Sequence, residues 1–272
     1  MKTLVLPSAY HLARQLRASK IEVQRFPDGE HKLRVPATAI GKSVMLVGTT
    51  GPSADDLLDL VFACSTLKEL GCRVTLLVTY FAYARQDRPR EGEAHGTIAV
   101  CRIIKQAGPD KVIIVNPHSN VIVNCLRPSV IEALPCLVAA LPRNALRNAV
   151  IVGPDADALL LARHVARRTN LPALCLKKKR ITPTKVATQA PHASLAGKNV
   201  ILVDDIVSTG ATLIEAAKAV RKAGAAAVYV AVCHNVAGKR LGSIAKKIRA
   251  KKMVVSDTLP SKFGYPVLSK LI

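Results

Sequence analysis

A chain of 272 residues, half of them apolar, can bury a substantial core, and its length fits one large or two medium domains. Its 40 basic and 18 acidic residues leave a formal charge of +22, which suits a polyanionic partner: nucleic acid, an acidic membrane surface or small phosphorylated substrates. No apolar run approaches the roughly 18–20 residues of a membrane span, the 7 cysteines show no CxxC or other metal spacing, and the apolar run before Pro7 is too short for a signal-peptide core. A cytoplasmic chain with reduced, mostly buried thiols is expected, without membrane insertion or a zinc site.

In chain order, short β-branched runs alternate with helical patterns. Strands are predicted at 3–6, 21–25, 32–35, 43–48, 73–79 and 111–115, with helices over 54–70 and 96–107. The second half repeats the alternation, with strands at 149–152, 173–176, 199–203, 226–232 and 252–255 and helices over 156–168 and 211–223. Near-continuous apolar strands separated by helices read as βαβ units in parallel sheets covered on both faces. A weak internal echo supports two related α/β domains: 43–79 and 199–232 both run strand, polar turn, helix, glycine, strand. The stretch 127–148 holds three prolines and no clear strand after Val130–Ile131, which puts the boundary between domains 1–142 and 143–272.

In parallel sheets, ligands collect beyond the carboxyl ends of the strands. From Ala133 onward there are only six acidic residues, and four of them, Asp155, Asp157, Asp204 and Asp205, follow apolar strand-like runs. The sharpest pattern is Val200-Ile-Leu-Val-Asp204-Asp205-Ile-Val-Ser208-Thr209-Gly210-Ala211-Thr212. A strand delivers two adjacent carboxylates able to accept hydrogen bonds from sugar hydroxyls. A hydroxyl-rich turn then opens a helix whose free N–H groups and positive dipole end cradle a phosphate. Neither a GxxxxGK[ST] loop nor a GxGxxG turn is present, which counts against ordinary NTPase and dinucleotide folds.

That loop is the motif of the type I phosphoribosyltransferase superfamily, and five further motifs narrow the match. Phe26-Pro-Asp28-Gly29-Glu30, Tyr83-Ala-Arg85-Gln86-Asp87-Arg88, Asn116-Pro-His118, Gly153-Pro-Asp155 and Lys178-Lys-Arg180 precede it in the order found in ribose-phosphate pyrophosphokinases. From about Leu4 to Thr258 the chain closely resembles that family, especially its shorter archaeal-type members. The resemblance implies two type I phosphoribosyltransferase-like domains, each a parallel sheet flanked by helices. It implies transfer of the diphosphoryl group of ATP to the 1-hydroxyl of ribose 5-phosphate, a Mg²⁺ cofactor, and a homodimer or larger assembly.

By the same resemblance, Phe26, Asp28, Gly29, Glu30, Arg85 and Gln86 bind ATP, and His118 and Asp155 position Mg²⁺. Asp204, Asp205, Ser208, Thr209, Gly210, Ala211 and Thr212 bind ribose 5-phosphate, with Arg180. Lys178 and Arg180 act on the moving diphosphoryl group from a catalytic loop, a stretch of roughly 20 residues without strand or helix pattern. Taken singly, each motif has a plainer reading: Pro-Asp-Gly is a turn signal, Arg85–Arg88 a solvated charge run, His118 a structural histidine. Ala211 stands where the family usually has glycine, and a positive φ there would be strained. Asp157-Ala-Leu-Leu and the +22 charge are further departures. The basic run 239–252, seven of fourteen residues, reads as the solvated face of a helix. Nucleic acid is not an expected partner, since no aromatics interleave that run to stack bases. A phosphoribosyltransferase that consumes the product, and a non-catalytic regulatory or nucleic-acid-binding paralogue, are the alternatives.

Overall fold

The computed structural model describes residues 1–156, 158–182, 185–189 and 195–272, with backbone alone for 177–182 and 185–189. The chain divides into two compact units, 1–131 with 258–260 and 268–272, and 132–257 with 261–267. Residues 132–142, on the N-terminal side of the boundary expected from the sequence, therefore pack with the second unit.

The first unit is built on β1 (Lys2–Val5), β2 (Ser19–Lys20), β3 (Glu22–Arg25), β4 (His31–Arg34), β5 (Ser43–Gly48), α1 (Ala54–Glu69), β6 (Arg73–Val78), α2 (Gly96–Gln106), β7 (Lys111–Val115), α3 (Asn120–Leu126) and β8 (Ser129–Ile131). The second holds α4 (Ala133–Ala139), α5 (Arg143–Leu146), β9 (Ala149–Gly153), α6 (Leu159–Thr169), β10 (Ala173–Cys175), β11 (Lys177–Thr182), β12 (Lys185–Gln189), β13 (Asn199–Val207), α7 (Ala211–Lys222), β14 (Ala227–Asn235), α8 (Leu241–Ile248), β15 (Lys252–Ser256) and β16 (Gly264–Tyr265). A last turn, α9 (Leu268–Leu271), returns to the first unit.

Each unit centres on a six-stranded sheet, ordered β2-β1-β5-β6-β7-β8 in the first and β10-β9-β13-β14-β15-β16 in the second. Every pairing in both sheets is parallel. Strand for strand the two orders match, so the echo between 43–79 and 199–232 is β5-α1-β6 set against β13-α7-β14. A two-stranded antiparallel hairpin also precedes the central strand of each unit: β3–β4 before β5, and β11–β12 before β13. The central strands are apolar on both faces through their middles, where helices cover both sides of the sheet. Leu46, Leu76 and Ile114 are fully buried in one core, and Val200, Leu202 and Val230 in the other.

Three sequence expectations change. The stretch 127–148, read as the boundary between domains, carries β8, α4 and α5. Its prolines occupy permitted places: Pro135 lies in the first turn of α4, and Pro142 is the residue before α5, where a missing N–H costs nothing. The patternless region after Leu176 contains the ribbon β11–β12. Its Lys-Lys-Lys-Arg run carries no apolar alternation from which a strand could be read. The basic run 239–252 forms α8 only as far as Ile248, and Lys252 already opens β15.

All seven cysteines are unpaired. Burial pushes the Cys64 thiol up to about 12, and burial with Cys125 alongside does the same for Cys101. Thiols held neutral in this way are poor nucleophiles and poor metal ligands. Alkylation of the native protein at pH 8, read by mass spectrometry, is expected to reach at most Cys125, Cys136 and Cys175. Cys64, Cys72, Cys101 and Cys233, buried in the two cores, should label only in denaturant.

Candidate active site

In the second unit the parallel register brings the acidic residues to one edge. Leu202 of β13 pairs with Val152 of β9, so Asp204 and the turn Gly153-Pro-Asp155 emerge beside each other at the carboxyl ends. Gly153 allows that turn to close. A side-chain carbon built on it would stand 2.9 Å from the Ala158 carbonyl oxygen. Asp155 Oδ1 accepts from the Ala158 N–H at 3.3 Å, and Asp204 Oδ1 accepts from the Asp205 N–H at 3.0 Å. Burial raises the Asp204 carboxyl well above the usual carboxylate range, and the neighbouring charges of Asp205 and Asp155 raise it further. Asp157, singled out with these acids in the sequence, lies outside the described residues.

The hydroxyl-rich turn follows directly. Gly210 caps α7 in the left-handed region at φ +76°, and a carbon built on it would meet Ile244 of α8 at 2.4 Å. Glycine is therefore required there twice over, by backbone conformation and by space. Ala211 begins α7 and has no positive φ, so the strain expected at that position does not arise. The left-handed residue is its neighbour Gly210. Thr209 Oγ1 accepts from the Ala211 N–H at 3.3 Å, and Thr212 is exposed in the first turn of the helix. Ser208, Thr209 and Thr212 thus surround a helix N-terminus with hydroxyls.

In the first unit the residues after β6 and β7 come together. Ser119 caps α3, accepts from the Val121 N–H at 3.1 Å and donates to Asp87 Oδ2 at 2.6 Å. This bond ties the Arg85–Arg88 turn to the loop that bears exposed His118. Neither Asp87 nor Ser119 was assigned a role from the sequence. The available signal was a serine directly before a helical run, a standard N-cap. Thr97 holds the same turn from the other side, donating its hydroxyl to the Tyr83 carbonyl at 2.8 Å. Arg85, Gln86, Arg88, Pro89, Glu93 and Ala94 line a depression of about 370 Å³.

Phe26–Glu30 forms the loop of the β3–β4 hairpin, and the turn chemistry read from Pro-Asp-Gly is present. Gly29 takes φ +93°, Asp28 Oδ1 accepts from the Glu30 N–H at 3.1 Å, and the Phe26 N–H donates to the Glu30 carbonyl at 2.8 Å. Phe26 remains 39% exposed at the tip of this hairpin. The hairpin is fastened to α1 by His31, whose Nδ1 lies 2.7 Å from Asp59 Oδ1 with both side chains buried, and by Arg25, 2.6 Å from Asp55 Oδ2. The described hydrogen bonds do not link this hairpin to the Arg85–His118 group.

Lys178 and Arg180 lie on β11, opposite Thr188 and Val186 of β12, and their side chains are outside the described residues. Among the described residues no group of three or more His, Cys, Asp or Glu side chains could hold a metal ion, and no helix is long and apolar enough to cross a membrane.

Comparison with known proteins fits this geometry. Residues 8–108 match the family model for the N-terminal domain of ribose phosphate pyrophosphokinase, and residues 136–265 match the phosphoribosyl transferase domain. The ribose-phosphate pyrophosphokinase of Methanothermobacter thermautotrophicus is 32% identical over 254 residues, covering 93% of this chain and 89% of that protein. The chain belongs to the ribose-phosphate pyrophosphokinase family. The enzyme of that name from Saccharolobus solfataricus is 30% identical over 88% of this chain and 84% of its own length. The crystal structure of phosphoribosylpyrophosphate synthetase from Mycobacterium smegmatis has the same fold, with a TM-score of 0.82, 23% identity, and coverage of 98% of this chain and 93% of that one.

Asp204 provides a test of the site's electrostatics. A carboxyl whose folded-state pKa is raised contributes stability that is complete below its unfolded value, about 4, and lost as pH rises through the folded value. At pH 7.5 the protein carries that cost. Asp204→Asn should therefore raise the apparent Tm at pH 7.5 by a few degrees, roughly 2–4 °C per kcal/mol relieved. The gain should shrink as pH falls toward the ordinary carboxylate range. Differential scanning calorimetry across pH 4–8 checks both the sign and the trend.

Proposed function

We propose that this family member is a ribose-phosphate diphosphokinase, joining ATP and ribose 5-phosphate to give phosphoribosyl pyrophosphate (PRPP) and AMP. The observation that carries the reading is a strand that carries Asp204 and Asp205 toward its carboxyl end, followed by a hydroxyl-lined helix N-terminus: a ribose and its phosphate fit one beside the other. The carboxylates accept hydrogen bonds from the sugar hydroxyls, and the first turn of α7 receives the 5-phosphate. Arg85 and Gln86, in their depression after β6, and the exposed Phe26 with Asp28, Gly29 and Glu30 bind ATP. A guanidinium and an aromatic ring both stack well on a purine.

In the reaction the ribose 1-oxygen attacks the β-phosphorus, the bond from that phosphorus to the α–β bridging oxygen breaks, and AMP and a proton leave. The protein's part is positioning and charge stabilisation, as in other phosphoryl transfers. Lys178 and Arg180 neutralise the charge that develops as the diphosphoryl group moves. Arg180 also reaches ribose 5-phosphate.

Mg²⁺ fits the residues present. Asp205 and Asp155, whose charges raise Asp204, form with it the kind of group a hard divalent cation relieves. Mg²⁺ typically takes one or two protein ligands with phosphates and water. Asp155 would hold it in the second unit; His118 is the other residue that the family resemblance implies for it. When bound, it screens the ATP phosphates and polarises the attacked phosphorus. A cytoplasmic setting fits the unpaired cysteines, and the reading includes the homodimer or larger assembly implied by the family.

The test is a product assay joined to two substitutions. ATP, Mg²⁺ and ribose 5-phosphate should yield AMP and PRPP in equal amounts by ³¹P NMR. ADP would mean an ordinary kinase, and no turnover the non-catalytic alternative. Lys178 and Arg180 stand two positions apart, one period of a strand, with Lys179 out of phase. Lys178→Ala should lower kcat about 10²- to 10³-fold while leaving both KM values nearly unchanged, and Lys179→Ala should be nearly silent. The reverse pattern would put the register off by one.

A further inference from the structure

Gln86 sits on a residue with no side chain. A carbon built on Gly96, the first residue of α2, would stand 2.1 Å from Gln86 Oε1, 3.0 Å from its Cδ and 3.3 Å from its Cβ. The Gln86 side chain therefore fills the volume that a side chain at position 96 would need. The backbone around it is fixed independently of this contact. The Gln86 N–H donates to the Tyr83 carbonyl at 2.9 Å, and the Gln86 carbonyl accepts from the Thr97 N–H at 3.4 Å. Tyr83 is held at φ +61°, with Ala84 and Phe81 buried on either side. Only the side chain of Gln86 is free to answer to what stands at position 96.

From this we infer that Gly96 is a positioning residue for nucleotide: it sets the rotamer of Gln86 and so aims the carboxamide into the depression shared with Arg85, Arg88 and Glu93. The inference rests on the proposed contact of Gln86 with ATP. It follows from which atom gives way. Gly96 has no positive φ, so the backbone accepts alanine. The crowded atoms belong chiefly to the end of one flexible, exposed side chain, and moving it costs the fold little. At the first position of a helix alanine is at least as good as glycine. A substitution there spares the structure and displaces the Gln86 carboxamide, one of the groups assigned to ATP. No sequence signal marks Gly96, because a glycine ten residues beyond Gln86 at a helix start reads as an ordinary break in the chain.

The experiment is a double-mutant cycle on Gly96→Ala and Gln86→Ala, reading KM for ATP, KM for ribose 5-phosphate and thermal unfolding. Gln86→Ala should raise KM for ATP about three- to tenfold, the scale of one lost hydrogen bond. Gly96→Ala should raise it by a similar factor, with KM for ribose 5-phosphate unmoved and the Tm unchanged or slightly higher. In the double variant the second substitution should add nothing, since the displaced side chain is gone. Independent, multiplicative effects would overturn the inference, as would an unchanged KM for ATP in Gly96→Ala when Gln86→Ala raises it. A large loss of Tm in Gly96→Ala would make Gly96 a packing residue and overturn it too. If Gln86→Ala itself leaves KM for ATP unchanged, the assignment of Gln86 to ATP has failed, and this inference falls with it.

Discussion

The functional edge of the second unit depends on keeping like charges together. Asp204 and Asp205 are consecutive, Asp155 arrives beside them from β9, and burial withdraws the water that would otherwise screen them. A sequence selected for stability alone would not place an ionisable group there. The surrounding structure holds the arrangement by rigid means. Eight parallel pairs along β13 and β14 fix the strand, Gly153 lets the turn before α6 approach closely, and Gly210 locks the loop onto Ile244. The free energy held in that cluster is released only when something satisfies the carboxylates: sugar hydroxyls, a cation, or a proton.

The duplicated topology shows how one architecture is put to two uses. Both units place a hairpin before the central strand and a turn into a helix after it. After β5 the turn carries Thr49 and Thr50, both fully buried, with the Thr50 hydroxyl accepting from the Ala82 N–H at 2.7 Å. After β13 the same place carries the carboxylates and exposed hydroxyls. The first position is spent on packing, and the second leaves its polar groups at the strand end for the ligand proposed above. The hairpins diverge likewise in sequence: the loop of the first carries Phe26, Asp28 and Glu30, and β11 of the second contains Lys178 and Arg180.

Much of this was legible in the sequence because long parallel strands announce themselves. The runs at 43–48, 73–79, 111–115 and 199–203 are apolar on both faces, and each is a strand of the structure within a residue or two, apart from β13, which runs on to Val207. The Asp204–Thr212 loop was legible because its carboxylates stand in a segment almost bare of other acids. What escaped notice was held by contacts rather than by pattern. β2 and β16 are two residues long and exist through edge pairing. The ribbon β11–β12 pairs basic and small residues. The Ser119–Asp87 bond joins positions 32 apart, and the His31–Asp59 pair joins positions 28 apart. Spacing along the chain cannot disclose such contacts, because the chemistry of each residue is ordinary until the partner is seen.

The central claim is that burial and the neighbouring carboxylates hold the Asp204 carboxyl above the usual carboxylate range, and that ribose hydroxyls donating to it bring it back down. Isothermal titration of ribose 5-phosphate at mildly acidic pH, in two buffers of different ionisation enthalpy, measures the protons exchanged on binding. The account predicts net proton release by the wild-type protein beyond that of Asp204→Asn, since the ligand's own phosphate titration is common to both. Equal proton exchange in the two proteins, with ribose 5-phosphate bound by both, would contradict it.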